Sequence, residues 1–224
     1  MSTLSKIKGN PLPPKLPKPL RAGAIESVED RAEYAALSVS GSDLAHQAAT
    51  GVLFEQMRFR RVALPQTRFT KIRVFDARFE SCDLSAADWE GARMRRVELV
   101  GCRLMGLQLP NAQLDDMLVK DCNAEDAVFV SVAFRAARFE QCNLRRATFE
   151  KADLTGVVFR QCDLTEADLR GATLNGADLR GSNISGMQVG APELRGAIMD
   201  SAQAIQAASL LGITVREFPD IPPN

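Results

Sequence analysis

The 224-residue sequence contains little of the chemistry that enzymes use. It has one histidine, His46, one tryptophan and one tyrosine, and aromatic residues make up 6% of the chain. A single histidine gives no basis for a Ser–His–Asp arrangement. The sequence also lacks the Gly-x-x-x-x-Gly-Lys-(Ser/Thr) loop that would hold phosphate. We therefore expect a protein that is not an enzyme and that binds no cofactor or metal ion.

An excess of one charge sign is also absent, as is any long apolar run. Lys plus Arg and Asp plus Glu both number 28, so no net field attracts nucleic acid or an anionic membrane. No apolar run is long enough to cross a bilayer, and the N-terminus lacks the pattern of a secretory signal. We expect a cytoplasmic protein that contacts neither nucleic acid nor membrane directly.

What the sequence does have is a period of five residues. From Leu44 to Ala204 every fifth residue is apolar without exception, and we call these positions centres. Two residues before each centre lies a second, mostly apolar site, where alanine is the most frequent residue. The other positions are mainly Asp, Asn, Arg, Glu, Ser, Thr and Gly.

A period of five fits neither a helix nor a single strand, so the chain must turn within each unit. Residues two apart on an extended segment point to the same side. One large and one small inward residue per five, followed by turn-forming residues, therefore predict a narrow tube with flat sides. If four such units make one circuit, successive circuits stack at the strand spacing of about 4.8 Å.

The five cysteines support a circuit of four units. All occupy the smaller inward site, and successive cysteines are 20 residues apart: Cys82, Cys102, Cys122, Cys142 and Cys162. We predict a structural cysteine ladder that fills the interior. A straight row of identical ligands does not surround a metal ion tetrahedrally, and parallel side chains hold their Cβ atoms wider apart than the ~3.8 Å of a disulfide.

The repeats resemble those of a known family. The segments 152–156, 167–171 and 177–181 read ADLTG, ADLRG and ADLRG, and they are similar to the A-(D/N)-L-x-x consensus of pentapeptide-repeat proteins. The resemblance covers residues 42–204. It implies an all-β solenoid, a right-handed quadrilateral β-helix of about eight coils of four pentapeptides each. Some members of the family protect or inhibit type II topoisomerases through an acidic, DNA-like rod.

The charges of this chain do not favour DNA mimicry. Eight coils would span about 38 Å, a length over which duplex DNA carries about 22 negative charges. Residues 42–204 hold 22 acidic and 21 basic residues. We therefore predict a rigid protein–protein interaction module with an unknown protein partner. The alternative is a protein that binds a type II topoisomerase, DNA gyrase, and gives resistance to gyrase-targeting antibiotics.

Two groups of outward residues are candidates for the partner surface. The first group is apolar. It lies on the fourth side of the tube when the cysteine side is counted as the first, and it comprises Val100, Leu118, Val158 and Ile198. The second is acidic and lies within one circuit: Asp115, Asp116, Asp121, Glu125 and Asp126. The apolar side is our first choice for a partner or for coverage by the N-terminal segment.

The two ends of the tube need caps, because they expose unpaired backbone. We predict a flexible, basic, proline-rich arm over residues 1–21, lying on or near the body or docking on a partner. A cap over residues 22–41 is expected to be helical within 26–37, with Ser27 as its N-cap and Asp30 in its first turn.

At the other end, a C-terminal helix and cap over residues 200–217 overlaps the last repeat and precedes a tail over 218–224. Asp200 or Ser201 would begin the helix, and Gly212 would end it. Its apolar residues would cap the rod of a monomer or join two copies into a C-terminal homodimer: Ile205, Leu210, Leu211, Ile213 and Val215.

Overall fold

The computed structural model describes residues 10–216, which form short strands and one helix. The strands are β1 Arg21–Gly23, β2 Glu33–Ala35, β3 Leu37–Ser40, β4 Ala48–Thr50, β5 Leu53–Glu55, β6 Arg58–Arg60, β7 Arg68–Thr70, β8 Arg73–Glu80, β9 Arg93–Val100, β10 Gln113–Lys120, β11 Ala133–Glu140 and β12 Val158–Arg160. The helix, α1, spans Ser201–Leu210.

The strands stack as a parallel β-solenoid whose turns repeat at every twentieth position. Arg73 of β8 pairs with Arg93, which pairs with Gln113, which pairs with Ala133. The predicted all-β solenoid with a C-terminal helix is confirmed, and it makes about seven turns where about eight were expected. We number its sides 1 to 4 in chain order, so that one turn places 82–85 on side 1, 87–90 on side 2, 92–95 on side 3 and 97–100 on side 4.

The corners of the solenoid fall two residues after each centre. Within residues 10–216, all 22 non-glycine residues with positive φ lie at such positions, with φ between 50° and 61°. This left-handed conformation costs an ordinary residue roughly 1–2 kcal/mol, so the ladder of backbone hydrogen bonds must hold each corner in place. From residue 171 onward the positive-φ corners in the described part of the chain are all glycine: Gly171, Gly176, Gly181, Gly186 and Gly196.

The two inward sites fill the tube as predicted, with phenylalanines stacked between levels. The rings of Phe59 and Phe79 lie 4.6 Å apart and nearly parallel, as do those of Phe139 and Phe159 at 5.1 Å. Aromatic contacts of this kind add to the stability that apolar burial provides.

Polar residues at the smaller inward site have identifiable partners. Thr67 is fully buried and accepts a 3.0 Å hydrogen bond from the Trp89 indole. Near the two ends, the Gln47 side chain accepts from the Val28 amide at 2.7 Å, and the Ser182 hydroxyl donates to the Phe159 carbonyl at 3.2 Å. Each of these polar groups therefore has a hydrogen-bond partner within the core, as buried polar groups require.

The C-terminal end is closed by α1. Asp200 is the N-cap and forms a capping box with Gln203, and Gly212 has a φ of 76°. The buried Gln203 amide donates to the carbonyls of Leu179 and Ser182, so it blocks the last regular turn. The final turn is irregular over residues 191–196, which include Pro192. The Glu193 carboxylate folds back to accept from the amides of Gly171 and Gly190.

The N-terminal cap differs from the prediction, because residues 26–37 do not form a helix. β2 and β3 begin the solenoid within this range, and the corners at Arg31 and Ala36 already follow the five-residue register. Asp30, expected in a first helical turn, accepts a hydrogen bond from the Thr50 amide at 2.7 Å. Buried Ile25 and Val28 belong to the core at this end. In the described part of the chain, no helix is long and apolar enough to cross a membrane.

Candidate interaction surfaces

Side 4 carries the apolar residues that the sequence singled out. Leu118, Val158 and Ile198 share one outward column in which every second level is charged, through Glu98, Arg138 and Asp178. Val100 lies in the neighbouring outward column. The four residues therefore share a side but do not form one continuous patch. Ile198 is the most accessible of them, with 43% of its surface exposed.

Near its middle, side 4 is covered by ion pairs. Arg78 contacts Glu80 at 2.6 Å and Glu98 at 2.8 Å, and Arg60 contacts Glu80 at 3.0 Å. Further along, Glu140 contacts both Lys120 and Arg138. Such a network uses up the charges of this stretch, although exposed pairs add little stability.

Towards the C-terminus the same side opens into a groove of about 610 Å³. Glycine corners flank it, since neither Gly176 nor Gly181 projects a side chain, and these residues line it: Arg138, Val158, Phe159, Arg160, Gly176, Asp178, Arg180, Gly181 and Ile198. Arg180 pairs with Asp178 at 2.7 Å and lowers the pKa of that carboxyl. Arg160 forms no ion pair with any residue that the structure describes. The groove thus places Val158 and Ile198 beside the charged groups of Arg160, Asp178 and Arg180, and the Arg160 charge contributes to the lowered pKa of Asp178.

The five acidic residues predicted as a cluster do not form one. Asp115 lies on side 3, Asp116 on the corner between sides 3 and 4, and Asp121, Glu125 and Asp126 around side 1. Most pair with a residue one level along: Glu125 and Asp126 with Arg146 at 2.6 and 2.9 Å, and Asp115 with Arg135 at 4.0 Å. Consecutive acids in the sequence are directed to different sides because the chain turns between them.

The proline-rich arm lies against the rod over its described residues and is bound by a column that the sequence analysis missed. The column is the corner between sides 3 and 4, where Asp76, Arg96 and Asp116 follow one another at successive levels. The Lys15 amide donates to Asp76 at 2.8 Å and the Leu12 amide donates to Asp116 at 3.0 Å. These two contacts place the arm along the edge that sides 3 and 4 share.

Asp76 is the most buried charged group of this corner, with 5% of its surface exposed. Burial alone would raise the pKa of its carboxyl. The two hydrogen bonds from the Arg96 guanidinium, together with the bond from the Lys15 amide, outweigh burial and lower that pKa. The signal available in the sequence was an Asp–Arg–Asp series at every twentieth position of a corner column.

Comparison with known proteins agrees with this geometry. A family model described as pentapeptide repeat region matches residues 72–149 and 92–169. Among solved structures, the pentapeptide repeat protein HetL, involved in heterocyst differentiation regulation in the cyanobacterium Nostoc sp. strain PCC 7120, is similar with a TM-score of 0.50 and 18% identity over 79% of this chain and 86% of that chain.

The chain therefore contains a pentapeptide repeat region, which the family model matches over residues 72–169. Another similar structure is full-length QnrB1, a plasmid-mediated fluoroquinolone resistance protein, with a TM-score of 0.49 and 19% identity over 85% of this chain and all of that chain. No curated protein matches the sequence significantly. At 18% identity, HetL supports the fold of this chain and nothing beyond it.

The C-terminal end of the chain exposes several apolar side chains. Ile205, Ile213 and Val215 each have more than half of their surface exposed, and Leu211 is 37% exposed. Leu210 instead packs against the core. The outward side of α1 and the segment after it therefore form an apolar end surface, to which Leu210 does not contribute.

The cysteine column lies inside the tube. All five thiols are buried and free. The Cys102 amide donates to the Cys122 sulfur at 3.3 Å, and the neighbouring Cys122 thiol, followed by burial, raises the pKa of Cys102 to about 12. Neutral buried thiols are poor nucleophiles. Among the residues that the structure describes, no group of three or more His, Cys, Asp or Glu side chains is arranged to hold a metal ion.

Proposed function

We propose that this pentapeptide-repeat protein is a non-enzymatic interaction module that binds a protein partner on the C-terminal part of side 4. The observation that carries the proposal is the groove around Val158, Arg160 and Ile198. It is the place where outward apolar residues coincide with glycine corners and with an arginine that has no ion pair among the described residues. Arginine and buried apolar side chains are typical of the centres of protein interfaces.

The rigid backbone supports this proposal. Each corner and side is fixed by hydrogen bonds to the levels before and after it, so the groove needs little reorganisation before a partner binds. A preformed surface loses less conformational entropy on binding than a mobile one. The chemistry of the groove suits an apolar side chain next to a carboxylate, which would contact Ile198 and Arg160 together.

Site-specific photo-cross-linking in the native cell tests the proposal. A photoreactive residue replaces Arg160 on side 4 or, as the matched control, Arg170 on side 2, half a turn further along the chain. We expect a discrete cross-linked species from position 160 only, and we expect Val158→Glu to abolish it. Equal products from both positions, or none from position 160, would contradict the assignment to side 4.

Binding to a type II topoisomerase remains the alternative proposal. It does not need an acidic face if gyrase is recognised by shape, and a rod of this length matches about ten base pairs of duplex DNA without carrying their negative charge. A gyrase supercoiling assay with and without a quinolone decides it. Protection or inhibition near stoichiometric protein would support this alternative, whereas no effect at large excess would remove it for gyrase.

We also propose that the apolar C-terminal end surface is the contact through which two copies would join. Ile213 is 56% exposed, and an exposed apolar group of this kind favours association. In analytical ultracentrifugation the wild-type chain should sediment as a dimer, and an Ile205→Glu, Ile213→Glu variant should sediment as a monomer. If both proteins sediment as monomers, this surface caps the rod and does not join two copies.

A further inference from the structure

The corner between sides 3 and 4 has the geometry of a recognition site for polyproline II. Asp76 and Asp116 lie two levels apart, which is about 9.6 Å at the spacing of stacked strands. Three residues of polyproline II advance about 9.3 Å. The two carboxylates therefore match the amides of residues i and i+3 of such a helix, and these are the amides of Leu12 and Lys15 that they bind.

The arm contributes its backbone to this contact. Pro13 and Pro14 lie between the two bound amides and have no N–H group, so the sequence Leu12-Pro-Pro-Lys15 presents its free donors with the spacing of the carboxylates. Leu12 points outward, with 59% of its surface exposed. Recognition through amides depends little on which side chains stand at positions i and i+3.

The corner residues that make this contact are confined to the levels that the arm crosses. The equivalent position is Gln56 one level before, Ala136 one level after, and glycine at Gly156, Gly176 and Gly196. Arg96 stands between the two acids and holds Asp76 through two hydrogen bonds of 2.5 Å. Asp76 is thus preorganised as an acceptor before a ligand contacts it.

We propose that the Asp76–Arg96–Asp116 corner is a second interaction surface of this protein, specific for x-Pro-Pro-x segments in polyproline II conformation. The N-terminal arm occupies it within the chain, and a proline-rich segment of a partner protein occupies it when the arm is displaced. This surface is separate from the groove of side 4. The arm competes with the partner at an effective concentration in the millimolar range, as linked segments do.

The test uses the full chain and removes only the two amide donors of the arm. A Leu12→Pro, Lys15→Pro variant removes these two donors with residues that themselves favour polyproline II, whereas a Leu12→Ala, Lys15→Ala variant keeps both amides. The probe is a fluorescently labelled peptide of residues 10–20, and its binding is followed by anisotropy. We expect the peptide to bind the proline variant at least about ten-fold more tightly than it binds either the wild-type chain or the alanine variant.

Changes to the peptide and to the rod test which groups are recognised. A peptide with alanine at both positions should bind like the parent, and a peptide with proline at both should lose at least about ten-fold in affinity. Asp116→Ala in the rod of the proline variant should weaken the parent peptide by about ten-fold. The proposal is overturned if the parent peptide does not bind the proline variant at millimolar concentration, if it binds all chains equally, or if the alanine peptide fails to bind.

Discussion

The two halves of the rod differ although they share one repeat. Residues 21–100 contain 12 basic and 12 acidic residues and are balanced, because the excess of positive charge before residue 100 comes from four lysines within residues 1–20. Residues 101–224 contain 12 basic and 16 acidic residues, a net charge of −4. The arm lies on the corner of Asp76, Arg96 and Asp116, within the first half and the turn that follows it. The side 4 groove lies in the second half, and the last positive-φ corners described there are glycine.

This difference shows that the corner residue decides what a level offers to a partner. A side chain at a corner adds to the surface and pairs with its neighbours, as Arg146 does with Asp126 and Asp76 with Arg96. A glycine at a corner removes the left-handed strain and leaves a depression, as beside Gly176 and Gly181. The backbone is common to both halves, so the two proposed binding surfaces differ through a few side chains.

The largest effect should come from cutting into the aromatic core of the first half. Phe79→Ala removes a ring stacked on Phe59 and close to Trp89, and we expect it to lower the free energy of unfolding by about 4 kcal/mol. Leu179→Ala in the second half should cost about 3 kcal/mol. Urea denaturation compares them, and a larger loss at Leu179 would show that the second half has the tighter core.

The next effect should come from the corner that binds the arm. Asp76→Ala leaves the nearly buried Arg96 guanidinium without its partner, and we expect a loss of about 3 kcal/mol. Asp116→Ala removes a half-buried acceptor and should cost about 1 kcal/mol. Chemical denaturation of both variants measures the difference. Similar losses would mean that the ion pair of Asp76 does not contribute as its burial indicates.

The same corner should make stability depend on acidity. Because the pKa of Asp76 is lower in the folded chain than its ordinary value of 3.8, its contribution is present above that pH and disappears as the pH falls through the folded pKa. The difference in unfolding free energy between wild type and Asp76→Ala should therefore be constant from pH 7 to 5 and shrink below pH 3.8. A difference that grows in acid would contradict this sign.

The smallest effect should come from exchanging the corners of the two halves. Gly181 has a φ of 74° and open space around the position that a Cβ would occupy, so Gly181→Ala should cost about 1 kcal/mol through backbone conformation alone. Ala86, with a φ of 52°, is the reverse case, and Ala86→Gly should be neutral or stabilise by about 0.5 kcal/mol. Thermal unfolding measures both changes, and an unchanged melting temperature for Gly181→Ala would contradict the predicted cost of the left-handed corner.

The sequence was sufficient for the fold because burial imposes its period directly. Leu84, Cys82 and their equivalents had to point inward, and the corners then had to fall two residues after the centres. The helix at Ser201 was predictable because Asp200 and Gly212 are local signals. The helix expected over 26–37 was wrong because Ser27 and Asp30 suit a helix start as well as a turn, and strand pairing between β2 and β5 decided between them.

The interaction surfaces were less predictable because they depend on relations between levels. Val158 and Ile198 were found as outward apolar residues, but the groove beside them depends on Gly176 and Gly181, which the sequence presents only as ordinary turn residues. Asp116 was read with its sequence neighbours as an acidic cluster. Its partner is the amide of Leu12, far away in the sequence, and no periodicity within the repeats indicates where a non-repeating arm lies.

The length of one turn also governs how this gene can change in length. Inserting or deleting four consecutive pentapeptides within the solenoid would add or remove one complete turn, and every later residue would stay on its original side. Inserting or deleting one pentapeptide would also keep the core residues pointing inward, but it would move all later residues to the neighbouring side of the solenoid. Deleting one pentapeptide after Leu118 would thus move Val158 and Ile198 from side 4 to side 3, so recombination could re-aim a binding surface without altering one of its residues.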